Sequence, residues 1–211
     1  MLDQYETQIM QMTVAGYWEK LVDTGWLHEI PAAEQAPLQQ NVWQAFQANP
    51  LYTWTALTVT AFDSECIYDV EPDGLSYHAK LIFLADTTYG LFHPTHVYNE
   101  RRGEQIYIRF QQAGKTYEYH AAAADDYFDL GVIALINQAV RASGSAKQLL
   151  RLPVIDQMLY FVVVSPQTYG RAETLGLIPP PEYFIYKRQR TFAELTAYLT
   201  VYAAENAAKY P

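Results

Sequence analysis

The stretch DDYFDLGVIALINQAVRAS, residues 125–143, decides how the chain is read. Phe128, Val132, Ile133, Ile136, Ala139 and Val140 recur at helical spacing, and Leu135 widens their stripe, as in a helix laid on a sheet. Asp125 or Asp126 can cap the first turn and Asp129 puts negative charge near the positive end of the helix dipole. Arg141 sits in the last turn, and Gly144 can take the left-handed closing conformation. The segments on both sides have strand character, and each needs an apolar cover for one face. The spacing therefore predicts a buried central helix over residues 125–143. Asn137 sits at the margin of its stripe and reads as a structural anchor, hydrogen-bonded to a strand or loop backbone.

On the N-terminal side, residues 105–110 alternate Ile106, Ile108 and Phe110 against Tyr107 and Arg109. Residues 116–121 alternate Tyr117 and Tyr119 against Glu118 and His120. With Ala113-Gly114 as a short loop, this is a β-hairpin with one buried face. On the C-terminal side, Pro153 confines residues 148–154 to a sheet edge, because proline has no N–H for a ladder. Residues 158–164, MLYFVVV, are apolar on both faces and belong mid-sheet, and Asp156-Gln157 turns between the two segments. The fold class is α+β: an N-terminal helical pair, then a mostly antiparallel sheet packed on the 125–143 helix, with C-terminal flanking helices.

Toward the start of the chain, Leu2, Tyr5, Ile9, Tyr17, Trp18 and Leu21 trace one helical face over residues 2–22, which Gly25 ends. A second helix is expected near 36–48, with Pro37 in its first turn, Leu38, Val42, Trp43 and Phe46 on its apolar side, and Asn49-Pro50 as its stop. Residues 1–50 thus read as a helical segment packed on the main domain, and residues 51–211 as the α+β domain, together one structural unit. Residues 51–68 contain TWTALTVTAF, a strand composition. On a straight strand Asp63 and Glu65 would continue the face of Leu57, Val59 and Ala61, so a bulge or strand end is expected near Phe62. Residues 75–89 fit both strand alternation and a helix closed by Gly90, with the helix preferred. Residues 92–98 read as extended, since Pro94 blocks a helix interior. Ser165-Pro166 starts a short helix closed by Gly176, residues 183–186 read as an edge strand, and Thr191 to Glu194 as a capping box opening a last helix.

Half of the 211 residues are apolar, enough for a sizeable core. Cys66 is the single cysteine, which excludes an intramolecular disulfide, and the N-terminal residues lack a secretory signal pattern; a cytoplasmic protein is the expectation. No apolar run reaches the length of a membrane span. The net charge is −9, and it is unevenly placed: residues 1–100 hold thirteen acids against Lys20 and Lys80 (−11), whereas residues 101–211 hold ten acids against twelve bases (+2). A field of that sign opposes direct nucleic-acid binding and steers a basic protein partner inward. The short basic run Lys187, Arg188 and Arg190 reads as solvated charge.

Asp63, Glu65, Asp69, Glu71 and Asp73 form the densest chemical cluster, carboxylates with no base among them. Their spacing departs from the calcium-loop pattern, because Ile67 takes a ligand position and the required glycine is missing. These five residues are the candidate partner-binding patch. Among the histidines, His93 and His96 lie three apart on an extended segment, where side chains point to opposite faces. Nucleophile-elbow and phosphate-loop patterns are missing, and neither a cofactor nor a metal is expected. Abundant tyrosine and tryptophan suit interface anchors. The expected function is a non-enzymatic, intracellular protein-binding module, in concrete form an inhibitor or immunity-type protein with an acidic surface. One alternative is a small hydrolase or metal-assisted enzyme using the Asp63 to Asp73 carboxylates with His93, His96 or His120. A weaker one is a carbohydrate-binding domain.

Overall fold

A computed structural model describes residues 2–64, 75–122, 127–155, 157–180, 183–184, 187–194 and 196–197. Four helices lead: α1 (Leu2–Met10), α2 (Val14–Asp23), α3 (Trp26–Glu29) and α4 (Ala32–Ala48). The expected single helix over residues 2–22 is divided, because the Thr13 hydroxyl accepts a 3.0 Å hydrogen bond from the Gly16 N–H and starts α2 afresh. The second expected helix begins at Ala32, so Pro37 lies inside α4 rather than in its first turn.

Residues Pro50–Leu57, expected as strand, form a 3-10 helix. The Asn49 side chain caps it by accepting from the Leu51 N–H. Thr53 and Thr55 donate their hydroxyls to the carbonyls of Pro50 and Tyr52, three residues back. Local side-chain bonding of this kind outcompetes the strand preference of threonine. Among the described residues of the expected 51–68 strand, β1 (Thr60–Asp63) is the extended part, and it pairs with regular register from Thr60↔Phe161 to Asp63↔Met158, while residues 65–68 lie outside the described residues. The strand ends at Asp63, the strand end expected near Phe62, and its register carries no bulge. Phe62 is buried and Asp63 is exposed.

Residues 75–87 are helical, α5 (Leu75–Thr87), as the preferred reading had it. There follow β2 (Thr95–Arg102), β3 (Gln105–Gln112), β4 (Lys115–Ala122), α6 (Gly131–Ala142), β5 (Gln148–Arg151), β6 (Met158–Val164) and α7 (Pro166–Thr174). The strands form two antiparallel three-stranded sheets, in the orders β1-β6-β5 and β2-β3-β4. The β3–β4 hairpin is present as expected. Its turn residues Ala113 and Gly114 both have positive φ, 50° and 74°, the two-residue geometry that matches strand twist. Residues 183–184 and 187–194 are helical, so 183–184 are not the edge strand expected at 183–186, whose residues 185–186 lie outside the described residues, and Thr191 lies inside a helix that began earlier.

Strand β6 is the hinge of the core. Leu159, Phe161 and Val163 face one apolar cluster, which they share with α5, α6 and the inner side of β2-β3-β4. Tyr160, Val162 and Val164 face a second cluster, built with α1 to α4, the 3-10 helix and α7. Burial on both faces is what the uninterrupted apolar run MLYFVVV requires. Helix α6 fills the space between the two sheets: Val132, Ile133, Ile136, Ala139 and Val140 are all buried. It starts at Gly131 instead of 125. The Asp129 carboxylate accepts from the Gly131 N–H at 2.8 Å and from the Tyr119 hydroxyl at 2.9 Å, and the Asp129 N–H donates to the Tyr77 hydroxyl at 3.0 Å. Asp125 and Asp126, the expected caps, lie outside the described residues. Among the described residues, no helix is long and apolar enough to cross a membrane.

Candidate functional site: the outer face of the β2-β3-β4 sheet

Strand alternation divides the second sheet into two surfaces. On β3, Ile106, Ile108, Phe110 and Gln112 point inward and are buried, while Tyr107 and Arg109 point outward. Residues in register share a face, so the outer side carries Tyr98, Arg109 and Glu118 in one row and Glu100, Tyr107 and His120 in the next. Arg102 extends the ladder at its end. Tyr98 is 43% exposed.

These side chains hold one another. Glu100 accepts from the Tyr98 hydroxyl at 2.7 Å and from Arg102 Nε at 2.8 Å. The Arg102 hydrogen bond, followed by that from Tyr98, holds the Glu100 carboxyl below the usual carboxylate range. The Arg102 guanidinium also lies 4.7 Å from the Tyr107 ring centroid, and Arg109 lies 5.7 Å from that of Tyr98. His120 pairs with Glu118 at 3.0 Å and packs its ring 4.2 Å from Tyr107. The result is an exposed, pre-ordered surface of tyrosine and arginine. Its formal charge is balanced, since Glu100 and Glu118 offset Arg102 and Arg109.

Of the expected site residues, Asp63 is exposed at the end of β1, while Glu65, Asp69, Glu71 and Asp73 lie outside the described residues, as does Cys66. His93 and His96 are not brought to a common centre with His120. The His93 N–H donates to Gln112 Oε1 at 3.2 Å, His96 sits at the irregularity of β2 with φ 51°, and His120 belongs to the outer ladder. Among the described residues, no group of three or more His, Cys, Asp or Glu side chains is arranged to hold a metal ion.

The basic run is used internally. Lys187 and Arg190 approach the Glu6 carboxylate of α1 at 3.6 and 3.7 Å, and Tyr183 donates to it at 2.8 Å. Asn137 is the anchor it was expected to be: its side-chain amide bonds both backbone groups of Leu149 on β5. Sequence reasoning missed Glu29 altogether. Its carboxylate receives hydrogen bonds from the Ser165 backbone N–H, from the Ser165 hydroxyl at 2.7 Å and from the Thr168 hydroxyl, while its carbonyl oxygen accepts from Lys147 Nζ. An acid at the start of α7 suits the helix dipole, but its source 136 residues upstream left no local signal.

A cleft of about 80 Å³ between α4 and the 3-10 helix, lined by Trp26, Glu34, Leu38, Asn41, Thr58 and Tyr89, is small beside the several hundred Å³ of ordinary ligand sites. The surface of the second sheet, rather than this cleft, is where recognition groups gather. No protein-family model, curated protein or solved structure matches this chain.

Proposed function

We propose that this protein is a non-enzymatic protein-binding module whose docking surface is the outer face of β2, β3 and β4. The observation that carries the reading is the ladder of Tyr98, Tyr107, Arg102 and Arg109, at the surface yet ordered: Glu100 bonds Tyr98 and Arg102, and His120, itself paired with Glu118, packs on Tyr107. Tyrosine and arginine dominate the energetics of protein interfaces, and side chains already ordered before binding lose less entropy on association. The strongly acidic N-terminal half supplies the long-range term, drawing in a partner with a basic surface. In its concrete form the proposal is an inhibitor or immunity-type protein of the cytoplasm. Its acidic field brings in a basic enzyme surface, and the tyrosine-arginine face makes the short-range contacts.

Affinity capture from the native cells tests this in two arms. Tyr107→Ala with Arg109→Ala should lower affinity for the captured partner by about thirtyfold or more, while thermal unfolding shifts little, because both groups are outward-facing. Asp63→Lys should chiefly slow association and weaken its salt dependence. Recovery of the same partner at the same yield and affinity by wild type and by the Tyr107/Arg109 variant would refute the surface assignment.

A further inference from the structure

We propose that a second copy of this chain adds antiparallel to the outer edge of β4, joining the two β2-β3-β4 sheets into one six-stranded sheet about a two-fold axis through Tyr119. This goes beyond the docking face, with which it shares Glu118 and His120, and its readout is self-association rather than partner capture.

The free edge follows from the hairpin. In a two-residue hairpin the residues flanking the turn, here Gln112 and Lys115, exchange both backbone hydrogen bonds, and bonded and non-bonded pairs then alternate along the ladder. Lys115, Tyr117, Tyr119 and Ala121 therefore bond to β3. Thr116, Glu118, His120 and Ala122 turn their N–H and C=O groups to the other side, where no backbone hydrogen bond reaches them among the described residues.

The other sheet edges are dealt with differently. On β5, Leu149 has both backbone groups occupied by Asn137. The edge of β1 is only four residues long, and past its end the Ser64 carbonyl accepts from the Phe128 N–H at 2.8 Å. The free edge of β2 is interrupted between Thr95 and Tyr98 and joined to α5 through Asn99, which accepts from the His78 N–H. By contrast β4 offers eight residues in unbroken register. Such an edge is a template for another strand, and proteins that do not use one usually block it.

The sequence of β4 selects the occupant. Strand pairing across the new edge must match outward-bonding residues with each other, and of the two registers with the greatest overlap only one avoids setting like charges opposite each other. Pairing about Tyr119 sets Glu118 opposite His120 of the other copy, twice by symmetry, with Thr116 opposite Ala122 and Tyr117 opposite Ala121. The neighbouring register, about Glu118, sets Glu118 against itself. Glu118 and His120 already stand 3.0 Å apart within one strand, so the dimer interleaves them into a four-membered row of alternating carboxylate and imidazole.

There is also room beside the edge. A groove of about 350 Å³ runs between β4 and α6, lined by Lys115, Tyr117, Glu118, Leu135, Gln138 and Ala142. Leu130, 39% exposed, adjoins the Gly131 that packs on Tyr119, so apolar surface lies next to the axis.

Sedimentation equilibrium of the full chain over a concentration series is the test. Wild type should be a concentration-dependent dimer. Glu118→Lys, which removes the carboxylate that faces His120, and His120→Glu, which sets two carboxylates opposite each other, should each weaken it by roughly tenfold. The double variant carrying both changes should restore it, because a lysine then faces a glutamate across the axis. A readout without substitutions is amide hydrogen exchange: the Thr116, Glu118 and His120 amides should slow with rising concentration, while Tyr117 and Tyr119, bonded within the hairpin, should not change. A wild type that stays monomeric, a dimer insensitive to both single changes, a double variant that stays weak, or edge amides indifferent to concentration would each overturn the proposal.

Discussion

The Asn137 side chain donates to the Leu149 carbonyl at 2.9 Å and accepts from the Leu149 N–H at 2.8 Å. A helix residue thereby stands in for the strand that would otherwise lie beside β5. The pair ties α6 to the first sheet with the geometry of a ladder rung and closes an edge at the same time. Asn137→Ala and Asn137→Leu should each cost about 2 kcal/mol in urea unfolding, because both leave a buried N–H and C=O unpaired whatever apolar volume they restore. Faster exchange of the Leu149 amide should accompany the loss.

At the other end of α6 the constraint is steric. A Cβ on Gly131 would stand 2.0 Å from the Tyr119 hydroxyl oxygen and 2.2 Å from its Cζ. Gly131→Ala should therefore destabilise the fold by about 1–3 kcal/mol. Tyr119→Phe will not relieve it, since the ring itself is in the way. Tyr119→Ala combined with Gly131→Ala should cost less than the sum of the two single changes, and a double-mutant cycle measures that coupling.

Glu29 fastens α3 to the start of α7 through Ser165 and Thr168. Glu29→Ala should remove about 1.5–3 kcal/mol, the range for hydrogen bonds to a charged group. Glu29→Gln should cost less, because the amide oxygen still accepts one bond. The Ser165 and Thr168 amides should lose exchange protection before those of β6, since the contact is local to the helix terminus.

Burial pushes the Tyr77 hydroxyl up to about 12, against a smaller lowering by the Asp129 N–H that donates to it. Burial also raises Tyr5, Tyr17, Tyr169 and Tyr183. The folded state holds these phenols neutral, whereas the unfolded chain ionises them near pH 10. Their contribution to stability is thus complete below about pH 10 and is lost as pH rises from there through about 12. The urea midpoint should fall steeply over that interval. Tyrosinate absorbance from these residues should appear together with loss of the circular dichroism signal, and a titration following both at once checks it.

Gly176 combines two demands, a φ of +68° and a Gln8 side chain 2.7 Å from where its Cβ would be. Gln8 donates to the Leu175 carbonyl at 2.8 Å, closing the end of α7 from the N-terminal helices. Gly176→Ala should cost about 1–2 kcal/mol. Gln8→Ala should relieve only the steric part, leaving the backbone strain, and thermal unfolding of the two single variants and their combination separates the two.

Much of the architecture was legible from side-chain period alone. MLYFVVV in β6 is apolar at every position because both of its faces are covered, and the alternation of Ile106, Ile108 and Phe110 sets the inner face of β3. The 3.6-residue recurrence from Val132 to Val140 likewise identifies α6 before any contact is known. These are properties of a residue and its immediate neighbours, and sequence records them directly. The same logic failed where two local preferences competed, as in residues 50–57, whose threonines bond their own backbone rather than a neighbouring strand.

Tertiary structure alone decided the rest. That the strands separate into two sheets with α6 between them depends on pairings such as Thr60↔Phe161, far apart along the chain. So does the partnership of Glu29 with Ser165, and that of Glu6 with Lys187 and Arg190. The outer ladder of the second sheet is an intermediate case. Its tyrosines and arginines can be read one strand at a time, but only the register of β2 and β4 on β3 assembles them into one surface. Period fixes which way a side chain points, whereas register and packing, set by contacts distant in the chain, decide what it meets.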